Sequence, residues 1–134
     1  MNNNSDYLLL FRGNEWQKRL SPEELEKTLS SFMGWFEGLQ AEGKMKGANP
    51  LHPQGKLVSG AHGRIVVDGP FAESKEAIGG YFMVSVADEA EAVAIAQKCP
   101  LLEHGSVVEV RPVAPECPIA AGLRTAANPE LAHA

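Results

Sequence analysis

Two segments of this chain read as strands that are apolar on both sides, and only two segments read as long helices. That imbalance limits the folds open to it. Tyr7-Leu8-Leu9-Leu10-Phe11 and Tyr81 to Val86 are apolar almost throughout, the pattern of central strands covered on both faces. The first long helix starts at Ser21-Pro22-Glu23-Glu24, with Ser as cap, Pro at the first helical position and Glu three residues after the cap. Leu25, Leu29, Phe32, Phe36 and Leu39 continue it as one apolar stripe with Met33 beside it, and Gly43 stops the helix. The second helix repeats the start signal at Asp88 and Glu91, carries Ala92, Ile95, Ala96 and Cys99 on one face, and ends at Pro100.

Between them lie a weak strand from Lys44 to Leu51 and a β-hairpin, Lys56-Leu57-Val58 and Arg64 to Val67, closed by a Gly-rich loop. Ser106 to Val113 is the last strand. Glu109 and Arg111 fall on one side of it and Val108 and Val110 on the other, as in an edge strand. Without the hairpin the order is βαββαβ. The fold class is therefore α+β, a ferredoxin-like arrangement with an inserted β-hairpin, in which two helices cover one sheet face. The other face, apolar at its centre, needs a cover, and a second copy packed sheet to sheet supplies one. A homodimer is the expected state.

At 134 residues the chain makes one domain. The body spans residues 6–113. Residues 114–134, with Pro115, Pro118 and Pro129 among many Ala, read as an irregular C-terminal tail with a helical turn or two over Ile119 to Ala126. No apolar run approaches the length of a membrane span, and Met1 to Ser5 has no signal-peptide character, so a cytoplasmic location is expected. The net charge of −5 opposes direct nucleic-acid or membrane binding. Cys99 and Cys117 are expected as thiols.

Candidate site residues gather after the hairpin. Asp68-Gly69-Pro70-Phe71-Ala72-Glu73-Ser74-Lys75-Glu76 is a charged loop between two strands. Asp68 has two readings, as the residue that shapes an Asp-Gly-Pro turn or as a general base. Lys75 and Glu73 are candidate ligand-binding groups, as are His52 in the Pro50-Leu51-His52-Pro53 turn and Arg111 on the last strand. The histidines show no metal-ligand spacing, so no metal is expected, and no cofactor motif is present.

Four stretches carry a family resemblance: Tyr7 to Gly13, Gly47-x-x-Pro50-Leu51-x-Pro53, Asp68 to Tyr81, and Val108 to Val113 after Cys99-Pro100. They resemble the YCII-related family in its DGPF subgroup. The resemblance implies a dimeric α+β barrel of ferredoxin-like protomers. Members of the wider family are proposed to use a His–Asp pair, with the His on the first helix, for isomerase-like chemistry. Pro22 to Glu42 contains no His. Some members are associated with extracytoplasmic-function sigma factors. Two function classes are consistent with this: a small-molecule-binding protein or enzyme with proton-transfer chemistry, or a non-enzymatic regulatory or interaction module.

Overall fold

The computed structural model describes residues 3–13, 15–69 and 77–127. Strand β1 (Ser5–Arg12) leads through a 3-10 turn, Trp16–Arg19, into helix α1 (Pro22–Ala41). Strand β2 (Met45–Pro50) comes next, then the short strands β3 (Lys56–Ser59) and β4 (Ile65–Asp68). Strand β5 (Ile78–Val86), helix α2 (Glu89–Ala96), a 3-10 turn at Pro100–His104 and strand β6 (Val107–Pro112) complete the body, and helix α3 (Pro118–Ala127) comes last. The start of α1 is as the residues dictate: Ser21 Oγ accepts from the Glu24 N–H at 3.1 Å, and Glu24 Oε1 accepts from the Ser21 N–H at 3.1 Å.

The main sheet runs β2-β5-β1-β6, and every neighbouring pair is antiparallel. With α1 and α2 this is an α+β fold of ferredoxin-like order. Among the described residues β3 and β4 pair only with each other, in register Lys56↔Asp68 to Ser59↔Ile65. Beyond the last paired residue of β6, the Val113 N–H donates to the Asp6 carbonyl at 2.9 Å, which ties the end of the body to its beginning.

The core lies between the sheet and the two helices. Leu9, Val84 and Val86 are fully enclosed, each contributing about 1.5–3 kcal/mol by removal from water. Phe11 stands edge-on to Phe82, Phe32 and Trp35, with ring centroids 4.9, 5.6 and 6.1 Å away. The α1 stripe is rotated from the one that the apolar residues alone define. Leu29 and Met33 are half exposed, while Thr28 is buried and Trp35 packs on the core. Thr28 tolerates burial because its hydroxyl has a polar partner on each side, the Glu24 carbonyl and the His104 ring.

The opposite sheet face carries Leu8, Leu10, Tyr81 and Met83, none fully buried. A polar rim surrounds them: Lys46 to Asp6 at 2.9 Å, Asn49 to the Tyr81 hydroxyl at 2.9 Å, and the group formed by Arg12, Glu109 and Arg111. The tail differs from expectation. In place of an irregular segment with a turn or two, α3 is a ten-residue helix. Pro118 stands at its start, alanine favours its interior, and Arg124 pairs with Glu116 just before it. Among the described residues no helix is long and apolar enough to cross a membrane.

Candidate functional site

One end of the main sheet brings together described parts of the four motif-bearing stretches, at Arg12–Gly13, Pro50–Leu51, Ala77–Gly80 and Val108. β1 and β2 end there, and β5 and β6 begin there. The Gly13 N–H donates to the Ala77 carbonyl and the Leu51 N–H to the Gly79 carbonyl, both at 2.9 Å. Ser106 Oγ–H donates to the Arg12 carbonyl at 3.0 Å. The glycine pair in β5 has a steric reason. Gly79 is the extra residue of a bulge between the pairs Phe11↔Gly80 and Arg12↔Ile78. A Cβ on Gly80 would lie 3.0 Å from the Asn49 carbonyl oxygen and 3.2 Å from Pro50 Cα, both backbone atoms of β2.

The candidate residues occupy separate parts of this framework. Asp68 ends β4, its side chain 84% exposed and ion-paired with Lys56 directly across the hairpin. His52 is exposed in the turn after β2. Arg111 is on β6, at the sheet edge opposite β2, and donates to Glu109 Oε2 at 3.1 Å. Arg12 Nε holds Glu109 Oε1 at 2.7 Å. These two cations, Arg111 first, keep the Glu109 carboxyl below its ordinary range. Lys75 and Glu73 lie outside the described residues.

A concave site that the sequence did not mark lies at the same end. A cavity of about 300 Å³ is lined by Trp16, Arg19, Leu20, Glu103, His104 and Gly105. The two 3-10 turns form its walls, one leaving β1 and the other leading into β6. The Trp16 and His104 rings stack, 22° from parallel with centroids 6.2 Å apart. Arg19 Nη2 donates to the His104 carbonyl at 2.9 Å. Gly105 has φ +90°, and a Cβ there would sit 3.1 Å from that Arg19 nitrogen. Glycine thus supplies both the left-handed turn and the room for the guanidinium.

His104 is anchored to α1 through Thr28. Thr28 Oγ1 donates its only proton to the Glu24 carbonyl at 2.8 Å and lies 3.1 Å from His104 Nε2. With its proton on that carbonyl, the hydroxyl is placed to accept from Nε2–H of the ring. The Glu24 carboxyl is held below its ordinary range, first by the Ser21 N–H, then by the Ser21 hydroxyl, with a smaller contribution from His104. Gln17 Oε1, in the adjoining turn, is buried with no partner among the described residues. An aromatic wall, a guanidinium, a carboxylate and an oriented imidazole around one hollow can hold a planar polar molecule and accept a proton from it. Among the described residues no three His, Cys, Asp or Glu side chains converge as a metal site.

The fold and this concave end define a small α+β protein with a hollow at the sheet terminus. The chain belongs to the YCII-related domain family, whose model matches residues 6–116. No curated protein matches the chain. Among solved structures, it is similar to the 5-chloro-2-hydroxyhydroquinone dehydrochlorinase TftG from Burkholderia phenoliruptrix AC1100, in complex with 2,5-dihydroxybenzoquinone. The identity is 15%, the alignment covers 77% of this chain and 90% of that one, and the TM-score is 0.41. At that level the likeness carries no argument about chemistry.

Proposed function

We propose that this chain, a DGPF-type member of the YCII-related family, is a cytoplasmic homodimer that binds a small planar polar molecule. The site is the end of the main sheet where its motifs meet, and the chemistry is proton transfer. The observation that carries the reading is His104: its Nε2 is held 3.1 Å from the Thr28 hydroxyl, and the ring lines a hollow with Arg19 and Glu103. Asp68, exposed at the end of β4, is a second candidate, and the Gly13–Ala77 and Leu51–Gly79 bonds fix the start of β5 at the same sheet end. The homodimer rests on Leu8, Leu10, Tyr81 and Met83 standing on a face that neither α1 nor α2 covers.

A thermal-shift screen of small hydroxylated and carboxylated ring compounds tests this. Hits are then titrated against the parent, His104→Ala and Asp68→Asn. Loss of about ten-fold or more in affinity with His104→Ala supports the reading. Equal affinity in the parent and His104→Ala removes His104 from the site, and a matching loss in Asp68→Asn alone moves the site to the charged loop. If the screen yields no ligand, the interaction-module reading gains, a reading favoured by the exposed apolar side chains of the hairpin and α3.

A further inference from the structure

The β3–β4 hairpin is apolar on both of its faces and, among the described residues, covered on neither. Leu57, Val67 and Ile65 share one face by register, and Val58 and Val66 share the other. All five are about half exposed or more, with Val58 at 64% and Val66 at 58%. An isolated two-stranded hairpin is marginal in water and needs a further layer. No described element of the main body packs extensively on it. Helix α3 has the converse defect. Ile119 and Leu123, one turn apart, are 76% and 69% exposed, and no other described element packs extensively on α3.

Within one copy the two segments leave the sheet at different corners. β2 runs in the same direction as β1, so the hairpin leaves the sheet at the Pro50 end of one edge. β6 runs opposite to β1, so the connection to α3 leaves at the Pro112 end of the other edge. The two departures are at diagonally opposite corners, roughly 20 Å apart by the strand register. A two-fold axis lying between two facing sheets, along the other diagonal, exchanges the corners. Each hairpin then meets the other copy's helix, and the contact occurs twice, as an isologous interface requires.

We infer that the occupant of the hairpin is α3 of a second copy of this chain, and that the two copies clasp each other through a reciprocal pair of hairpin–helix contacts. The area fits. One helix covers one hairpin face, so Val58, Val66, Ile119 and Leu123 offer roughly 350 Å² per copy, about 700 Å² across the pair, which adds to the apolar sheet faces toward a standard interface of about 1,600 Å². The inference rests on the homodimer reading above and adds which surfaces close it.

Disulfide trapping tests it in a Cys117→Ser background, where Cys99 is buried and inert. Val58→Cys/Leu123→Cys, oxidised gently, is expected to run as a covalent dimer on a non-reducing gel, while each single variant stays a monomer there. Val66→Glu is expected to raise the dimer dissociation constant by about thirty-fold or more, the loss typical of a central interface residue. A bridge within one chain would show that α3 folds back on its own hairpin and would overturn the inference. A cross-link in the Val58→Cys single variant would assign the hairpin to a second hairpin and overturn it too. No bridge in a protein that light scattering shows to be dimeric would sink the clasp but leave the dimer standing, whereas a monomeric parent would sink both.

Discussion

Thr28→Val isolates the hydroxyl that orients His104. Valine has nearly the same shape, so the buried site is refilled without a cavity, and only the oxygen is lost. Thr28 is 7% exposed, and its hydroxyl makes two bonds, to the Glu24 carbonyl at 2.8 Å and to His104 Nε2 at 3.1 Å. Losing the bond to the Glu24 carbonyl matters less, because a helical carbonyl keeps its backbone partner. Losing the bond to the ring N–H matters more, since that donor is left without its acceptor in a half-buried position. A net hydrogen bond contributes about 0.5–1.5 kcal/mol and an unsatisfied donor costs about 1–3, so the variant should lose about 1.5 kcal/mol. With a urea slope of about 2 kcal/mol per molar, the midpoint should fall by about 0.7 M at fixed protein concentration. The cycle is closed with His104→Phe, which preserves an aromatic ring beside Trp16 but has no donor. In that background Thr28→Val should cost little, giving a coupling of about 1 kcal/mol. Equal costs in the two backgrounds would refute the Thr28–His104 bond, and with it the assignment of the ring proton to Nε2.

Gly105→Ala forces a side chain into the left-handed region and towards Arg19, so it should cost about 1–2 kcal/mol in thermal or urea unfolding. The Glu109 carboxyl titrates below its usual 4.5 in the folded protein, held down by Arg111 and then Arg12. The unfolded chain therefore binds the proton more readily in acid, so the stabilisation is present above about that pH and is lost as the pH falls through it. Glu109→Gln should accordingly show a shallower loss of stability as the solution is acidified through that range, measured by urea midpoints across pH. Burial raises the Cys99 thiol above its ordinary value, while Cys117 is exposed. A thiol reagent should modify one cysteine quickly in the native protein and the second only on unfolding, and fast reaction of both would contradict the burial of Cys99.

Much of the framework was legible because local chemistry and tertiary environment agree there. Ser21, Pro22 and Glu24 announce the start of α1, and nothing in the fold competes with them. The doubly apolar β1 and β5 are the two central strands. The α1 stripe was legible only in part. Thr28 reads as a surface residue until its hydroxyl meets the Glu24 carbonyl and a histidine 76 positions away. That separation also hid the cavity. His104 carries no motif, its partners Trp16, Arg19 and Thr28 lie far upstream, and the only local hint is Gly105, whose positive φ turns the chain just after it. Asp68 was conspicuous in the sequence for its neighbours, and the hairpin register pairs it with Lys56, a residue that turn chemistry does not single out. The alanine-rich tail lacked long-range periodicity, so its helix depended on Pro118 and on the Arg124–Glu116 pair rather than on a strong pattern.

The bond from the Val113 N–H to the Asp6 carbonyl makes the body nearly a closed circuit. Its entrance and exit emerge side by side, at the end of the sheet away from Trp16, Arg19 and His104. A domain wired in this way can be spliced into a surface loop of a host protein with short linkers, because its two ends already span almost no distance. It can equally carry additions at either end, or a reporter fused after residue 113, without their path crossing the cavity. Lineages of this fold are thereby free to remodel the segments before β1 and after β6 independently of the residues around the hollow.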